Sequence, residues 1–270
     1  MLEQRFLTAV VLAAAGLLAV FFLPPLWFAA AAAGLLLVAG GWEAARLAGL
    51  TNPALRWLFG LVLAAAGASM HLSNMPPVPF LAAACLLWLL GFAWLGRANT
   101  QKPARPAATA VLKLVATGWL LLAAWLGLCL VQAHSPWLVV LMLVIIAAAD
   151  TCAYFAGRRF GGPKLAPAIS PGKTRSGAAG GLIGAALFAT LAAAVLPARL
   201  PAWPVVTAVA LVLAAISIGG DLFFSLLKRQ GGLKDSSALL PGHGGILDRF
   251  DSLAAVSPFF ALFVCYLGAS

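Results

Sequence analysis

Nine apolar stretches follow one another along the 270 residues of the chain, and each is close to the length that crosses a lipid bilayer. A spanning helix needs about 20 mainly apolar residues, and here 63% of the residues are hydrophobic while 9% are charged. The sequence therefore predicts an all-α polytopic integral membrane protein with about nine transmembrane helices. The stretches lie at about 6–23, 26–42, 54–70, 79–96, 111–131, 136–155, 178–196, 203–226 and 253–269.

The connections between these stretches are short, and none has the composition of a separate soluble domain, in which about a quarter of the residues are charged. We therefore expect residues 1–270 to form a single membrane domain. The four cysteines are dispersed through apolar stretches without CxxC spacing, so we expect them to be packing residues rather than metal ligands or disulfide partners.

The basic residues are distributed asymmetrically over the connections. If nine helices cross the membrane, every Lys and Arg except Arg199 lies at or beside the N-terminus or an even-numbered connection. Because Lys and Arg are enriched in cytoplasmic loops, this asymmetry places the N-terminus and the even-numbered connections in the cytoplasm. The same orientation, together with attraction to anionic lipids, accounts for the net charge of +10, so we expect no nucleic-acid partner.

Four of the seven acidic residues lie between residues 220 and 252, next to several basic side chains. Asp221, Ser225 and Lys228 follow i, i+4, i+7 spacing and share one face at the cytoplasmic end of the eighth helix. The carboxylate could bind a hard cation while Lys228 and the adjacent Arg229 bind phosphate. The alternative is an internal Asp–Lys ion pair at the membrane surface.

Two further aspartates, Asp248 and Asp251, are spaced i, i+3 at the start of the ninth helix, where they can converge. Acids in a first helical turn are also favoured by the helix dipole, so one of the two is alternatively a cap. His243 lies in the preceding Pro-Gly-His-Gly-Gly sequence and has too few Cys or His neighbours for a zinc site. It is either part of the loop architecture or a hydrogen-bond donor to phosphate.

Asp150 ends a long apolar stretch and shares a helical face with Tyr154, four residues later. A carboxylate at this position either belongs to a functional site or is solvated at the membrane interface. The next connection carries basic residues among glycines and prolines, which suits anion binding but also fits ordinary cytoplasmic charge. Its Gly-Lys-Thr is not a phosphate-binding P-loop, because Pro167 stands where the first glycine would be required.

Carboxylates beside many basic side chains, at the cytoplasmic edge of a helical bundle, favour a Mg²⁺-dependent reaction of phosphates. Two anionic reactants repel each other, by roughly 4 kcal/mol for unit charges about 4 Å apart at an effective dielectric constant of 20. A divalent cation and basic side chains can offset that repulsion and stabilise an in-line transition state.

Residues 225–251, SLLKRQGGLKDSSALLPGHGGILDRFD, resemble the signature of the CDP-diacylglycerol synthases, also called phosphatidate cytidylyltransferases. Residues 150–157, DTCAYFAG, and 165–174, LAPAISPGKT, are similar to a second block of that family. Ser176 departs from the family pattern, in which an acidic or amide side chain is expected before Gly177. Residues 1–130 resemble the family only in being hydrophobic helices.

The resemblance implies transfer of a cytidylyl group from CTP to phosphatidate with Mg²⁺ assistance, at a site facing the cytoplasm in the cell inner membrane. It also implies a homodimer, with residues 1–130 as scaffold and residues 131–270 as the catalytic part. By similarity, the metal ligands are Asp221 and Asp248, with Asp251 as a third ligand, and the catalytic residues are Asp221, Asp248, Lys228 and Arg229. The residues expected to bind substrate or phosphate are Ser225, Lys234, His243, Arg249, Lys173, Arg158, Lys164, Tyr154 and Asp150.

Two other functions would use similar residues. A CDP-alcohol phosphotransferase also relies on Mg²⁺ and aspartates, but its DGxxAR signature is absent from the chain. An ion-coupled membrane transporter could use Asp150 and Asp221 as coupling-ion sites, for which acids near the bilayer midplane are typical. The grouping of the acids at helix ends and in loops favours the enzyme.

Overall fold

A computed structural model of the chain describes residues 2–73, 75–97, 107–198, 200–240 and 244–268. Within these residues the fold consists of nine helices and one short β-hairpin. The helices are α1 (Leu2–Phe22), α2 (Pro25–Leu47), α3 (Pro53–Leu72), α4 (Pro77–Leu95), α5 (Ala107–His134), α6 (Pro136–Phe160), α7 (Arg175–Val195), α8 (Trp203–Gln230) and α9 (Leu247–Gly268).

The predicted all-α membrane architecture is confirmed. Helices α2 to α9 are long and apolar enough to cross a membrane, and the described apolar part of α1 is Ala13–Phe22. Helices α2, α3, α4, α6 and α8 have proline at their first or second position, where its missing N–H costs no helical hydrogen bond. Lys102, Arg105, Arg199 and His243 lie outside the described residues.

Several helices are longer than their apolar stretches. Helix α2 continues past residue 42 to Leu47, after a π-helical segment at Ala33–Ala39, and so includes Glu43 and Arg46. Helix α9 begins at Leu247 rather than at residue 253 and therefore carries Asp248 and Asp251. The polar residues at these ends make hydrogen bonds within the protein. Hydropathy alone therefore ended α2 too early and began α9 too late.

Helix α9 lies at the centre of the bundle and packs against α4, α5 and α8. Its residues Leu253, Ala254, Ala255 and Val256 are all buried. The first turn of α9 is thereby held next to the last turns of α8, which brings the acids of both helices to one end of the bundle.

Helices α6 and α7 approach each other closely along a row of small residues on α7. A Cβ atom added at Gly177 would lie 2.8 Å from the carbonyl oxygen of Ala153, and one at Gly181 would lie 2.7 Å from that of Ala149. Only glycine fits such a contact between helix backbones. The close approach sets the N-terminus of α7, and the hairpin that precedes it, beside Asp150 on α6.

The hairpin joins α6 to α7 and consists of β1 (Lys164–Ala166) and β2 (Ser170–Thr174), which are antiparallel. Its turn residue Ile169 is buried against Leu222 and Leu226 of α8. The sequence predicted a stiff, basic connection that folds over the site, but not its two strands. Burial of Ile169 docks the hairpin on α8 and directs β2 toward the end of the bundle where the acids lie.

Candidate functional site

A cavity of about 390 Å³ opens at this end of the bundle, between α6, α8, α9 and the connecting loop at 231–246. Five carboxylates and two basic side chains contribute to its wall, so acidic groups predominate. The lining residues are Ile146, Asp150, Asp221, Lys228, Asp235, Asp248, Arg249, Asp251 and Ser252. The cavity thus unites Asp150, Asp221, Lys228, Asp248, Arg249 and Asp251, all of which the sequence had singled out.

Asp248 is held by four donors at the start of α9. Its Oδ1 accepts from Lys228 Nζ at 2.7 Å. Its Oδ2 accepts from the backbone N–H groups of Ser236 and Gly245, each at 2.9 Å, and from Ser236 Oγ at 3.0 Å. Asp248 therefore binds the connecting loop and α8 at once, and its carboxylate has little freedom to reorient.

Asp221 is held more loosely, near the end of α8. Ser225 Oγ donates to its Oδ1 at 3.2 Å, as the i, i+4 spacing predicted. Lys173 Nζ lies 2.5 Å from its Oδ2 and reaches it from strand β2. The hairpin thus folds over the site, and Lys228 pairs with Asp248 rather than with Asp221, so the alternative of an ion pair within α8 is wrong.

Asp150 and Asp251 lie on either side of this arrangement. Asp150 is exposed on α6 at the cavity wall, whereas Asp251 is buried in α9. Oδ1 of Asp251 accepts from the N–H of Ser252 at 2.7 Å. Both carboxylates therefore face the same cavity as Asp221, from two other helices.

The other predicted residues within the described ranges are not among those that line the cavity. Arg229 Nε donates to the carbonyl oxygen of Ile169 at 3.4 Å and so ties the end of α8 to the hairpin. Arg158 Nη1 donates to the Tyr154 hydroxyl at 3.2 Å, and both side chains are exposed on α6. Lys164 and Lys234 are also exposed and are not among the lining residues.

Ser176, the departure from the family pattern, belongs to the framework of the hairpin. Its hydroxyl lies 3.1 Å from Thr174 Oγ1 and donates to the carbonyl oxygen of Gly161. Thr174 in turn caps α7 by accepting from the N–H of Gly177 at 3.0 Å. Ser176 therefore helps to close the base of the hairpin against the start of α7.

Glu43 is the main residue that the sequence did not identify as part of the site. It lies on α2, is completely buried, and accepts hydrogen bonds from both ends of the 236–247 segment. An acid at the end of an apolar stretch was the available signal, but the predicted helix ended at residue 42. Asp235 in the cavity wall was likewise assigned no role, because its place depends on the path of the connecting loop.

The donor set suits a divalent cation that binds together with a phosphate. No three or more His, Cys, Asp or Glu side chains in the described ranges are arranged to hold a metal ion by themselves. Mg²⁺ is usually held by one or two carboxylates together with substrate phosphates. The excess of carboxylate oxygens in the cavity fits that mode of binding.

The chain is similar to known proteins over most of its length. The model of the family described as "Cytidylyltransferase family" matches residues 3–267, which include every residue of the cavity. A phosphatidate cytidylyltransferase of Pseudomonas aeruginosa is 39% identical over 268 residues, covering 97% of this chain and 96% of that protein. Proteins of the same name align over shorter stretches, at 39% identity in Haemophilus influenzae (50% of this chain, 48% of that protein) and 42% in Brucella suis (46% of each).

Proposed function

The chain belongs to the cytidylyltransferase family, and on this premise we propose that it is a phosphatidate cytidylyltransferase of phospholipid synthesis. It would convert CTP and phosphatidate into CDP-diacylglycerol and pyrophosphate. The observation that carries the proposal is the cavity, in which carboxylates and lysines from four elements meet at the end of membrane-spanning helices. A lipid phosphate at headgroup depth and a water-soluble nucleotide can meet at such a place.

In the proposed reaction, a phosphate oxygen of phosphatidate attacks the α-phosphorus of CTP. A new P–O–P bond forms, the bond between the α- and β-phosphates breaks, and pyrophosphate carries away the electron pair. The chain needs no nucleophile of its own for this step. Its basic residues hold the two anions together, and a positioned reactant pair lowers the entropic cost of reaching the transition state.

Lys173, Lys228 and Arg249 are the bases best placed to bind these phosphates. Lys173 and Lys228 are each paired with an aspartate, which orients the ammonium group at the cavity while leaving other N–H donors for a ligand. Arg229 would act at the edge, where it already joins α8 to the hairpin. Ser225 and Tyr154 would line the approach to the site, together with the outer bases Arg158, Lys164 and Lys234.

We propose Asp221 and Asp248 as the carboxylates that would hold Mg²⁺, with Asp251 as a third ligand. A bound Mg²⁺ supplies neutralisation of the negative charge on the reacting phosphates and the departing pyrophosphate. Asp221 is the more available of the first two, because its partners are one lysine and one serine.

The bacterial relatives and the eight apolar helices support an inner-membrane location. We propose that the cavity faces the cytoplasm, where CTP is found. Lys and Arg are enriched in cytoplasmic loops, which places the basic connections of this chain on that side. A homodimer is the assembly we propose from the family resemblance, and native mass spectrometry of the detergent-solubilised protein would test it.

The decisive experiment is a substrate assay with purified protein in detergent micelles. We expect radiolabelled CTP to yield labelled CDP-diacylglycerol when phosphatidate and Mg²⁺ are present, and chelation of divalent cations to abolish the product. Diacylglycerol in place of phosphatidate is the control, since it lacks the attacking phosphate. An ion-coupled transporter would form no lipid product under any of these conditions, and that result would overturn the proposal.

A further inference from the structure

Glu43 stands apart from the residues that line the cavity, yet it contacts the loop that builds one wall. We propose that Glu43 is a positioning residue for the reaction assigned above: it fixes the segment 236–247 and thereby the placement of Asp248 and Lys228. The inference rests on the proposed function, and it assigns part of the site to α2, within residues 1–130.

Both oxygens of the Glu43 carboxylate are fully engaged. Oε1 accepts from Ser237 Oγ at 2.5 Å and from the N–H of Ile246 at 2.8 Å. Oε2 accepts from Ser236 Oγ at 2.8 Å and from the N–H of Leu247 at 2.7 Å. One side chain therefore clamps the two ends of this segment together, and the second end is the first turn of α9.

The clamp is connected directly to Asp248. The Ser236 hydroxyl lies within hydrogen-bonding distance of both Glu43 Oε2 and Asp248 Oδ2, and the N–H of Ser236 donates to Asp248. Arg46, three residues after Glu43, donates from Nη1 to the Ser236 carbonyl oxygen at 2.7 Å. Ser236 is thus held from α2 and in turn holds the carboxylate that pairs with Lys228.

The backbone itself is fitted to the Glu43 carboxylate. A Cβ atom added at Gly245 would overlap both Ser236 Oγ and the Glu43 carboxylate. Gly245 also donates its N–H to Asp248 Oδ2 at 2.9 Å. Because Gly245 has no side chain, it can lie against the Glu43 carboxylate and also donate to the Asp248 carboxylate.

The chemistry of the contacts requires a carboxylate rather than a group of the same shape. All four partners of Glu43 are groups that can donate, although the Ser236 hydroxyl shares its one proton with Asp248. An ionised carboxylate is an acceptor at both oxygens. The amide of Glu43→Gln would turn an N–H₂ group toward donors and leave some of them unpaired in a buried place, which is costly. Glu43→Asp keeps two acceptors but is shorter by one methylene group.

The test combines local hydrogen exchange with steady-state kinetics on Glu43→Gln and Glu43→Asp, purified as full-length protein. The matched control is Gln132→Leu, which removes another buried polar contact of the bundle, from α5 to the carbonyl oxygens of Val20 and Leu23, far along the chain from the 236–247 segment. Exchange is followed by mass spectrometry at the Ile246 and Leu247 amides.

For Glu43→Gln we expect amide exchange at Ile246 and Leu247 to accelerate at least about tenfold while α5 is unchanged. We expect kcat to fall on the order of 10- to 100-fold, because small misplacements of a reacting group have effects of that size. The KM for CTP should change less than about threefold, since Lys173 is held by Asp221 and not by the 236–247 segment. Glu43→Asp should retain more activity than Glu43→Gln, and Gln132→Leu should leave both measurements at wild-type values.

The inference would be overturned if Glu43→Gln kept the exchange rates and the kcat of the wild-type enzyme. It would also be overturned if Glu43→Gln were more active than Glu43→Asp, because the shape of the side chain alone would then suffice.

If Glu43→Gln does not fold, Ser237→Ala serves as the second variant, because it removes one donor to Glu43. It should produce a smaller, equally local increase in amide exchange, and unchanged exchange in this variant would also contradict the inference. Failure of the proposed function is distinct, since the wild-type enzyme would then make no CDP-diacylglycerol while the exchange result is unaffected.

Discussion

At the scale of single residues, the site contains two Lys–Asp ion pairs of the same chemistry in different surroundings. The side chains of Lys228 and Asp248 are 11% and 10% exposed, whereas those of Lys173 and Asp221 are 27% and 30% exposed. An exposed pair contributes little because water screens it, but removing one partner of a buried pair leaves the other poorly solvated. The two lysines should therefore differ in their importance for stability.

We expect Lys228→Met to lower the free energy of unfolding by about 1–3 kcal/mol, because Asp248 loses its charged donor and keeps three uncharged ones. Lys173→Met should cost less than about 1 kcal/mol, because the Asp221 side chain remains partly solvated. Thermal unfolding in one detergent measures the difference. Equal destabilisation by the two substitutions would contradict this account of the site.

The sequence predicted most of the residues in the cavity and some of their contacts. Helical spacing placed Ser225 next to Asp221, and their hydrogen bond confirms it. Helical spacing could not predict that Lys228 pairs with Asp248, because the two residues lie on either side of the connecting loop and meet only when α8 and α9 pack together. Glu43 was missed for the same reason: its partners are about 200 positions away in the chain, and hydropathy carries no information about them.

At the scale of elements, the contact between α6 and α7 determines where the hairpin lies. Hydropathy predicted both helices. Their close approach depends on glycines whose spacing is visible in the sequence, but the sequence does not show which carbonyl groups of α6 face them. The added Cβ atom at Gly181 would lie 2.7 Å from a carbonyl oxygen of α6, which is backbone and cannot move aside. Separation of the two helices would shift Thr174 and Lys173, which immediately precede α7.

Gly181→Ala should accordingly lower the free energy of unfolding by about 1–3 kcal/mol, the usual cost of overpacking. The matched control is Gly16→Ala in α1, where an added Cβ meets nothing within 4 Å. There alanine should be neutral or stabilise the helix by up to about 1 kcal/mol, because it loses less backbone entropy than glycine. Thermal unfolding distinguishes the two, and an equal response at both positions would contradict the proposed packing constraint.

At the scale of the whole molecule, the connection before α8 and the loop after it must open on opposite sides of the membrane if α8 crosses it. The cavity belongs to the second side, because Lys228, Asp235 and Asp248 all lie at or after the end of α8. The charge pattern predicts that this side is cytoplasmic, and the orientation decides which pool of nucleotide the site can use. The number of helices and the charge asymmetry were both predicted from the sequence. Measuring the side on which the cavity opens therefore tests both predictions at once.

We expect Lys234→Cys to react with a membrane-impermeant maleimide in inverted inner-membrane vesicles and to be protected in spheroplasts. Ala202→Cys should show the opposite pattern, because it is exposed at the start of α8 on the other side. Native cysteines set the background, so labelling is compared with the unsubstituted chain; Cys85 is buried, and Cys129, Cys152 and Cys265 are partly buried. If both new cysteines react from the same side, α8 does not cross the membrane. If each reacts from the side opposite to that expected, the cavity faces away from the cytoplasm and a cytoplasmic supply of CTP could not reach it.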